Sequence, residues 1–118
     1  MQSASVRGKI GERCVARYLR DKKYEIIGAN FHTRFGEIDI IATKGKYIAF
    51  VEVKTRGENS LFSPAQAVDA VKQQKLQKTA LLYLSKNKTD LQPRFDVAEV
   101  IMDSKEKILN INYIENAF

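Results

Sequence analysis

Cysteine is nearly absent from this sequence. Cys14 stands alone among 118 residues, so neither an internal disulfide nor a thiolate zinc cluster can form, and the chain suits a reducing compartment. Long apolar runs are missing too. None approaches the roughly 18–20 residues of a membrane helix, and the opening MQSASVRGKIGERC has basic residues without the apolar core of a secretory signal. These absences predict a cytoplasmic protein with no membrane partner. No repeat, low-complexity tract or Pro/Gly/Ser-rich linker interrupts the chain, so residues 1–118 are expected to form one domain. Histidine occurs once, as His32. With no partner at ligand spacing, it reads as a structural or exposed side chain. Basic and aromatic residues do not interleave in the way that surfaces stacking single strands require.

Acid is in short supply: 14 Asp and Glu stand against 20 Lys and Arg, for a net charge of +6. The excess gathers at the start, where residues 1–23 carry Arg7, Lys9, Arg13, Arg17, Arg20, Lys22 and Lys23 against only Glu12 and Asp21. A basic balance suits a polyanionic partner, nucleic acid first. It suits a solvated surface equally well. The remaining composition, 44% apolar and 29% charged, is that of an ordinary domain able to bury one core.

The first periodic segment is a helix over about Arg7 to Lys22, with Ile10, Gly11, Cys14, Val15, Tyr18 and Leu19 on one stripe. Lys9, Arg13, Arg17 and Arg20 fall on the opposite arc. Glu12 lies at the stripe's edge, pointing toward whatever the helix packs on, and Cys14 within the stripe reads as a small buried hydrophobe. An irregular strand is expected in YEIIGANFHTRFG, then a hairpin turning at TKGK, where Gly45 can take positive φ. A loop follows Arg56. Ser63 and Pro64 form a helix-start pair, so a second helix is expected to run from there to about Lys86. Its Val68, Val71, Leu76, Ala80, Tyr83 and Leu84 should face the sheet. RFDVAEVIM and KILNINYI read as two more strands. The order αβββαββ predicts an α/β fold, a central mixed sheet flanked by helices.

The hairpin GEIDIIATKGKYIAFVEVKTR, residues 36–56, is apolar enough to be buried, yet it carries Glu37, Asp39, Glu52 and Lys54. Alternate side chains of a strand share a face. A two-residue turn at Lys44-Gly45 pairs Asp39 with Phe50 and Glu37 with Glu52, and a four-residue loop gives the same register. All four charged groups then project from one face, with Asp39 and Glu52 diagonal neighbours, whereas a one-residue slip separates them. Clustered carboxylates in a low-dielectric site repel, and an unpaired buried charge costs several kcal/mol, roughly. Something cationic must offset them: Lys54, or a divalent metal. Two carboxylates, the backbone carbonyl of Val53 and water suit Mg²⁺, which takes oxygen ligands and keeps several waters. A buried ion-pair cluster without a ligand is the plainer alternative, but it rarely needs so many acids for one lysine.

GEIDIIA followed by FVEVKTR resembles the signature of the YraN-like family of small bacterial proteins, related to the PD-(D/E)xK nucleases and to Holliday-junction resolvases. GERCVARYLRDKKYEIIGANF, AVDAVKQQKLQKTALLYL and RFDV resemble the family's other segments, so the likeness spans most of the chain. It implies the restriction endonuclease-like fold. By the resemblance, Asp39 and Glu52 are the metal-binding acids and Lys54 the catalytic lysine. Glu12 matches a first-helix acid that helps complete the metal site, and Glu37 is the acid of GEID. Ile38 stands where the wider superfamily has proline.

The resemblance thus implies an Mg²⁺-dependent endonuclease, with Mn²⁺ able to substitute, that hydrolyses DNA phosphodiester bonds in branched or damaged DNA, as in repair or recombination. A homodimer is expected by analogy with resolvases. Lys54 would orient the attacking water or stabilise transition-state charge; it could act as a base only with a pKa far below the roughly 10.4 of free lysine. Arg56, Lys75, Lys72 and Arg94 are the candidate phosphate contacts, although Arg94 could equally pair with Asp96. The alternative is a nucleic-acid-binding accessory protein that keeps the nuclease scaffold with little or no turnover.

Overall fold

Two sets of apolar side chains, one on each face of a single sheet, organise the molecule. The computed structural model describes residues 2–58 and 68–118. The elements follow in the order α1 (Gln2–Asp21), β1 (Glu25–Thr33), β2 (Gly36–Lys44), β3 (Tyr47–Gly57), α2 (Ala70–Lys86), β4 (Gln92–Met102) and β5 (Ile108–Ile114). This is the expected αβββαββ chain, an α/β architecture consistent with a restriction endonuclease-like fold. The strands lie in sequence order as one five-stranded sheet. β3 and β4 pair in parallel through the α2 crossover, and the other neighbours are antiparallel. Among the described residues no helix is long and apolar enough to cross a membrane.

Helix α1 covers one face. Val15 and Leu19 are fully buried against Ile40, Ala42, Ala49, Val51, Ala98 and Val100, as the stripe predicts, and Cys14 is half-buried. The helix sits so close to β3 that a Cβ at Gly11 would collide with Thr55 Oγ1. It ends where Lys23 takes φ 74 and the Tyr24 N–H donates back to Leu19 O at 2.9 Å, a left-handed helix stop. Helix α2 covers the other face, with Leu76 and Ala80 buried on Ile38, Ile41, Ile48 and Phe50, and Tyr83 and Leu84 packed alongside.

Three sequence expectations need correction. Helix α2 begins at Ala70, where the Asp69 side chain accepts from Lys72 N at 2.9 Å, so Val68 precedes the helix; the expected Ser63–Pro64 start lies outside the described residues. Val71 is 61% exposed rather than sheet-facing, since it stands about 140° around the helix from Leu76. The hairpin register is displaced by two residues: Lys44 pairs with Tyr47 and Ile40 with Val51. Gly45, at φ +58, takes the first rather than the second turn position, where a left-handed backbone favours glycine. An even displacement keeps each strand's inward and outward residues.

Candidate functional site

The chemistry-bearing residues gather where the sheet opens. β2 and β3 pair as far as Ile40↔Val51 and no further. Beyond that point β2 continues along β1, through Phe31↔Ile38 and His32↔Glu37, while β3 continues along β4 to Gly57↔Met102. One more step of the hairpin ladder would place Asp39 opposite Glu52. Instead the Asp39 carboxylate enters the gap, and its Oδ2 accepts from Val53 N–H at 2.8 Å. The side chain thereby satisfies a main-chain donor at the end of the ladder.

The gap brings acids in from both faces. Ile38 packs toward α2 and Ile40 toward α1, so β2 loses its alternation at Asp39, beside Asn30 of β1, whose φ is 52. Asn tolerates that left-handed conformation better than most residues. Asp39 and Glu37 line a cleft beside α1, together with Glu12. Glu52 follows Ile48 and Phe50 onto the α2 side, where it meets Lys72. The expectation of a single face is therefore corrected: the acids converge through the opening in the sheet, not on one side of it.

Burial and the neighbouring acids both act on Asp39 and Glu12. Burial, followed by the Glu52 charge, pushes the Asp39 carboxyl up to about 7; the Val53 N–H works against the shift, and Glu12 and Glu37 add to it. Glu12 is raised as well, by burial first, with Glu37 and Glu52 contributing and a hydrogen bond from Asn30 opposing. With its amide nitrogen turned toward the acids, Asn30 donates to Glu12 Oε1 and Glu37 Oε2, at 3.1 Å each. His32 is mostly exposed and lies 3.6 Å from Glu37 through Nε2.

Two lysines answer Glu52. Lys72 Nζ is 2.5 Å from Glu52 Oε2 and Lys54 Nζ is 3.6 Å from the same oxygen. Burial and the neighbouring Lys72 lower the Lys54 pKa. Burial works against the charge on Lys72 too, but its bonds to Glu52 and Lys54 outweigh that and raise it. Lys54 is thus the ammonium closer to giving up its proton.

Among the described residues no group of three His, Cys, Asp or Glu side chains is gathered tightly enough to hold a metal. Asp39 and Glu52 remain as a carboxylate pair. Asp39 Oδ1 has no hydrogen-bond partner among the described residues, and the donors are hard oxygens. That set fits Mg²⁺, which is bound through one or two carboxylates plus water.

The other expected residues fare unequally. Arg56 is mostly buried and pairs with Glu99 through Nε, at 2.5 Å. Arg94 is 10% exposed and donates to both oxygens of Asp96 as well as to Tyr24 Oη. It stands on β4 opposite Ala49, away from Asp39, so its use is the pairing with Asp96 and not an open phosphate contact. Lys75 is exposed and borders a smaller cavity with Gly36, Glu37 and Lys72. Sequence reasoning missed Asn30 and the Lys72–Glu52 pair. Positive φ at an asparagine within a strand leaves no pattern to read, and a contact between α2 and β3 is non-local.

The model of the uncharacterised protein family UPF0102 matches residues 11–100. A UPF0102 protein of Alkaliphilus metalliredigens is 49% identical over 112 residues, covering 94% of this chain and 96% of its own length. One of Thermodesulfovibrio yellowstonii is 47% identical over 111 residues, covering 94% of each. One of Caldanaerobacter subterraneus is 45% identical over 113 residues, covering 94% of this chain and 93% of its own. The resemblance to the YraN-like family carried by the hairpin motif is borne out. None of these names states a substrate or a reaction.

Proposed function

The chain belongs to the UPF0102 (YraN) family, and from that premise we propose that it is an Mg²⁺-dependent endonuclease that hydrolyses phosphodiester bonds of branched or damaged DNA. The observation that carries this reading is the meeting of Asp39 and Glu52 where the sheet opens, with Asp39 Oδ2 on Val53 N–H. Burial first, and the Glu52 charge second, push the Asp39 carboxyl up to about 7. A fold gains nothing from that repulsion unless a cation relieves it, and perturbed carboxyls in a cleft mark candidate sites.

Glu12, expected from the sequence as a further ligand, lines the cleft beside Asp39 but joins no three-acid group among the described residues. In this reading Asp39 and Glu52, with the Val53 carbonyl and water, would hold the ion. Bound there, it would supply Lewis-acid relief of charge on the scissile phosphate. Lys54, close to Glu52 and lowered in pKa, orients the attacking water and stabilises charge on the phosphate oxygens. Asn30 fixes Glu12 and Glu37 relative to each other. Lys75 stands exposed on α2 as a phosphate contact beside the site. Two subunits are needed to cut both strands of a junction, so the acting form is a homodimer.

A second reading has its own support. The Lys72–Glu52 ion pair already neutralises Glu52 without a metal, as expected of a nucleic-acid-binding accessory protein with little or no turnover. The purified protein, offered linear, flap and four-way DNA with Mg²⁺ or Mn²⁺, separates the two. Nicking that is lost in both Asp39→Ala and Glu52→Ala supports the endonuclease. Metal-independent, salt-sensitive binding without product supports the accessory protein, and equal residual cleavage in both variants identifies a contaminant.

A further inference from the structure

Three of the four cations first assigned to phosphate are held by acids: Arg56 by Glu99, Arg94 by Asp96 and Lys72 by Glu52. Positive charge outside such close pairs lies elsewhere, although Lys9 attracts Glu12 at longer range. A cleft of about 760 Å³ runs between α1 and the β1–β2 edge. Glu12, Glu37 and Asp39 line it on one side of the charge balance, and Lys9, Arg13 and Arg20 on the other. All three basic residues are exposed, and none enters an ion pair among the described residues. Arg17 is equally exposed on the same helix but does not line the cleft.

We propose that this cleft is the path of the nucleic-acid strand, with Lys9, Arg13 and Arg20 tracking its phosphodiester backbone toward Asp39. The inference takes its substrate class from the endonuclease reading and deepens it. The three cations recur at intervals of four and seven residues, which keeps them on one face of a helix. Lys9 to Arg20 spans about 16 Å at 1.5 Å per residue, the length of about five nucleotides at 3.4 Å each. The cleft's volume lies in the roughly 300–1,000 Å³ range of small-ligand sites. It therefore suits a short run of one strand rather than a whole duplex. The apolar part of the lining is Ile26, Ala29, Ile40 and Ala16, and apart from the His32 imidazole the lining has no aromatic ring on which a base could stack. Recognition is then electrostatic and indifferent to sequence. The acids deeper in the cleft repel phosphate until a cation offsets them, so the basic rim supplies the attraction that brings the strand in.

The test measures binding of fluorescent single-stranded and four-way DNA in EDTA, where cleavage plays no part, from about 50 to 200 mM salt. Lys9→Gln/Arg13→Gln/Arg20→Gln should lower the slope of log K against log salt by about two to three and weaken binding at least about tenfold. Arg13→Gln should lower the slope by about one, whereas Arg17→Gln, with the same charge change on the same helix, should leave it nearly unchanged. Equal effects of Arg13→Gln and Arg17→Gln would reduce the rim to general surface charge and overturn the proposal, as would an unaltered slope in the triple variant. Mg²⁺-dependent nicking by a triple variant with an unaltered slope would overturn the track while leaving the endonuclease standing. Gln retains helix propensity at these exposed positions, and an unchanged Tm confirms that the triple variant is folded.

Discussion

Lys72 reaches Glu52 more closely than Lys54 does, 2.5 Å against 3.6 Å to the same carboxylate oxygen. The nearer lysine comes from α2, across the sheet interface, and the farther one from the same strand as its acid. A metal ligated by Glu52 must compete with that ammonium. Lys72→Met should therefore lower the stability of the metal-free protein by about 1–2 kcal/mol. That is less than the 3–5 kcal/mol, roughly, of breaking a fully buried pair, because the Lys72 side chain is 39% exposed. The same variant should bind Mg²⁺ more tightly than wild type, and Mg²⁺ should return part of the lost Tm. Thermal melts with and without Mg²⁺ check both effects.

The raised pKa of Asp39 gives a pH dependence with a definite sign. In the unfolded chain its carboxyl titrates near 3.9, roughly, and in the folded protein it is pushed up to about 7. Between those values the native state binds more protons than the unfolded state. Asp39 therefore favours folding at low pH, and this contribution is lost as pH rises from about 4 through about 7. Asp39→Asn should remove that part of the slope in metal-free protein and raise stability at pH above the window. Metal affinity should rise across the same window, because binding displaces the Asp39 proton. Denaturant melts against pH, in wild type and Asp39→Asn, are the check.

Lys54 sits beside the acids but is not one of the expected ligands. Lys54→Ala should lower single-turnover cleavage by about 10²–10³, the effect of removing one charge-stabilising donor. Mn²⁺ affinity should change far less. A comparable loss in metal binding would move Lys54 from the chemistry to the support of Glu52.

Arg94 and Asp96 predict the opposite pattern. Asp96 is almost wholly buried and accepts from Arg94, from Tyr113 Oη at 2.6 Å and from Asn116 N at 2.9 Å. Burial and the adjacent Asp96 charge raise the Tyr113 pKa, so the phenol stays a donor. Arg94→Met should destabilise the fold by about 3–5 kcal/mol, leaving a buried carboxylate short of its cation. Metal affinity of the remaining folded protein should be unchanged. Chemical denaturation and Mn²⁺ titration of the same sample separate the two effects.

The contrast between these sites shows what was legible in the sequence. The hairpin acids could be found because strand alternation is local, and Glu12 because its helical phase sets it at the edge of the Val15–Leu19 stripe. The Arg94–Asp96 pair was open to reading because the two residues are alternate neighbours on one strand. The register was displaced because TKGK allows Gly45 to occupy either turn position, and a shift of two residues keeps the same side chains on each face, so alternation does not distinguish the two. Val71 was misplaced with the start of α2: the cap of that helix is Asp69, and Ser63 and Pro64 lie outside the described residues. Lys72 at Glu52, Asn30 between two carboxylates and the cleft beside α1 all depend on elements brought together from distant parts of the chain. No sequence period encodes those contacts.

Mn²⁺ binding to wild type, Asp39→Asn and Glu52→Gln tests the central claim most directly. The account predicts one class of site in wild type that is weakened in each variant by more than the roughly 10–100-fold typical of losing an outer-shell partner. Equal Mn²⁺ binding by all three proteins would contradict it.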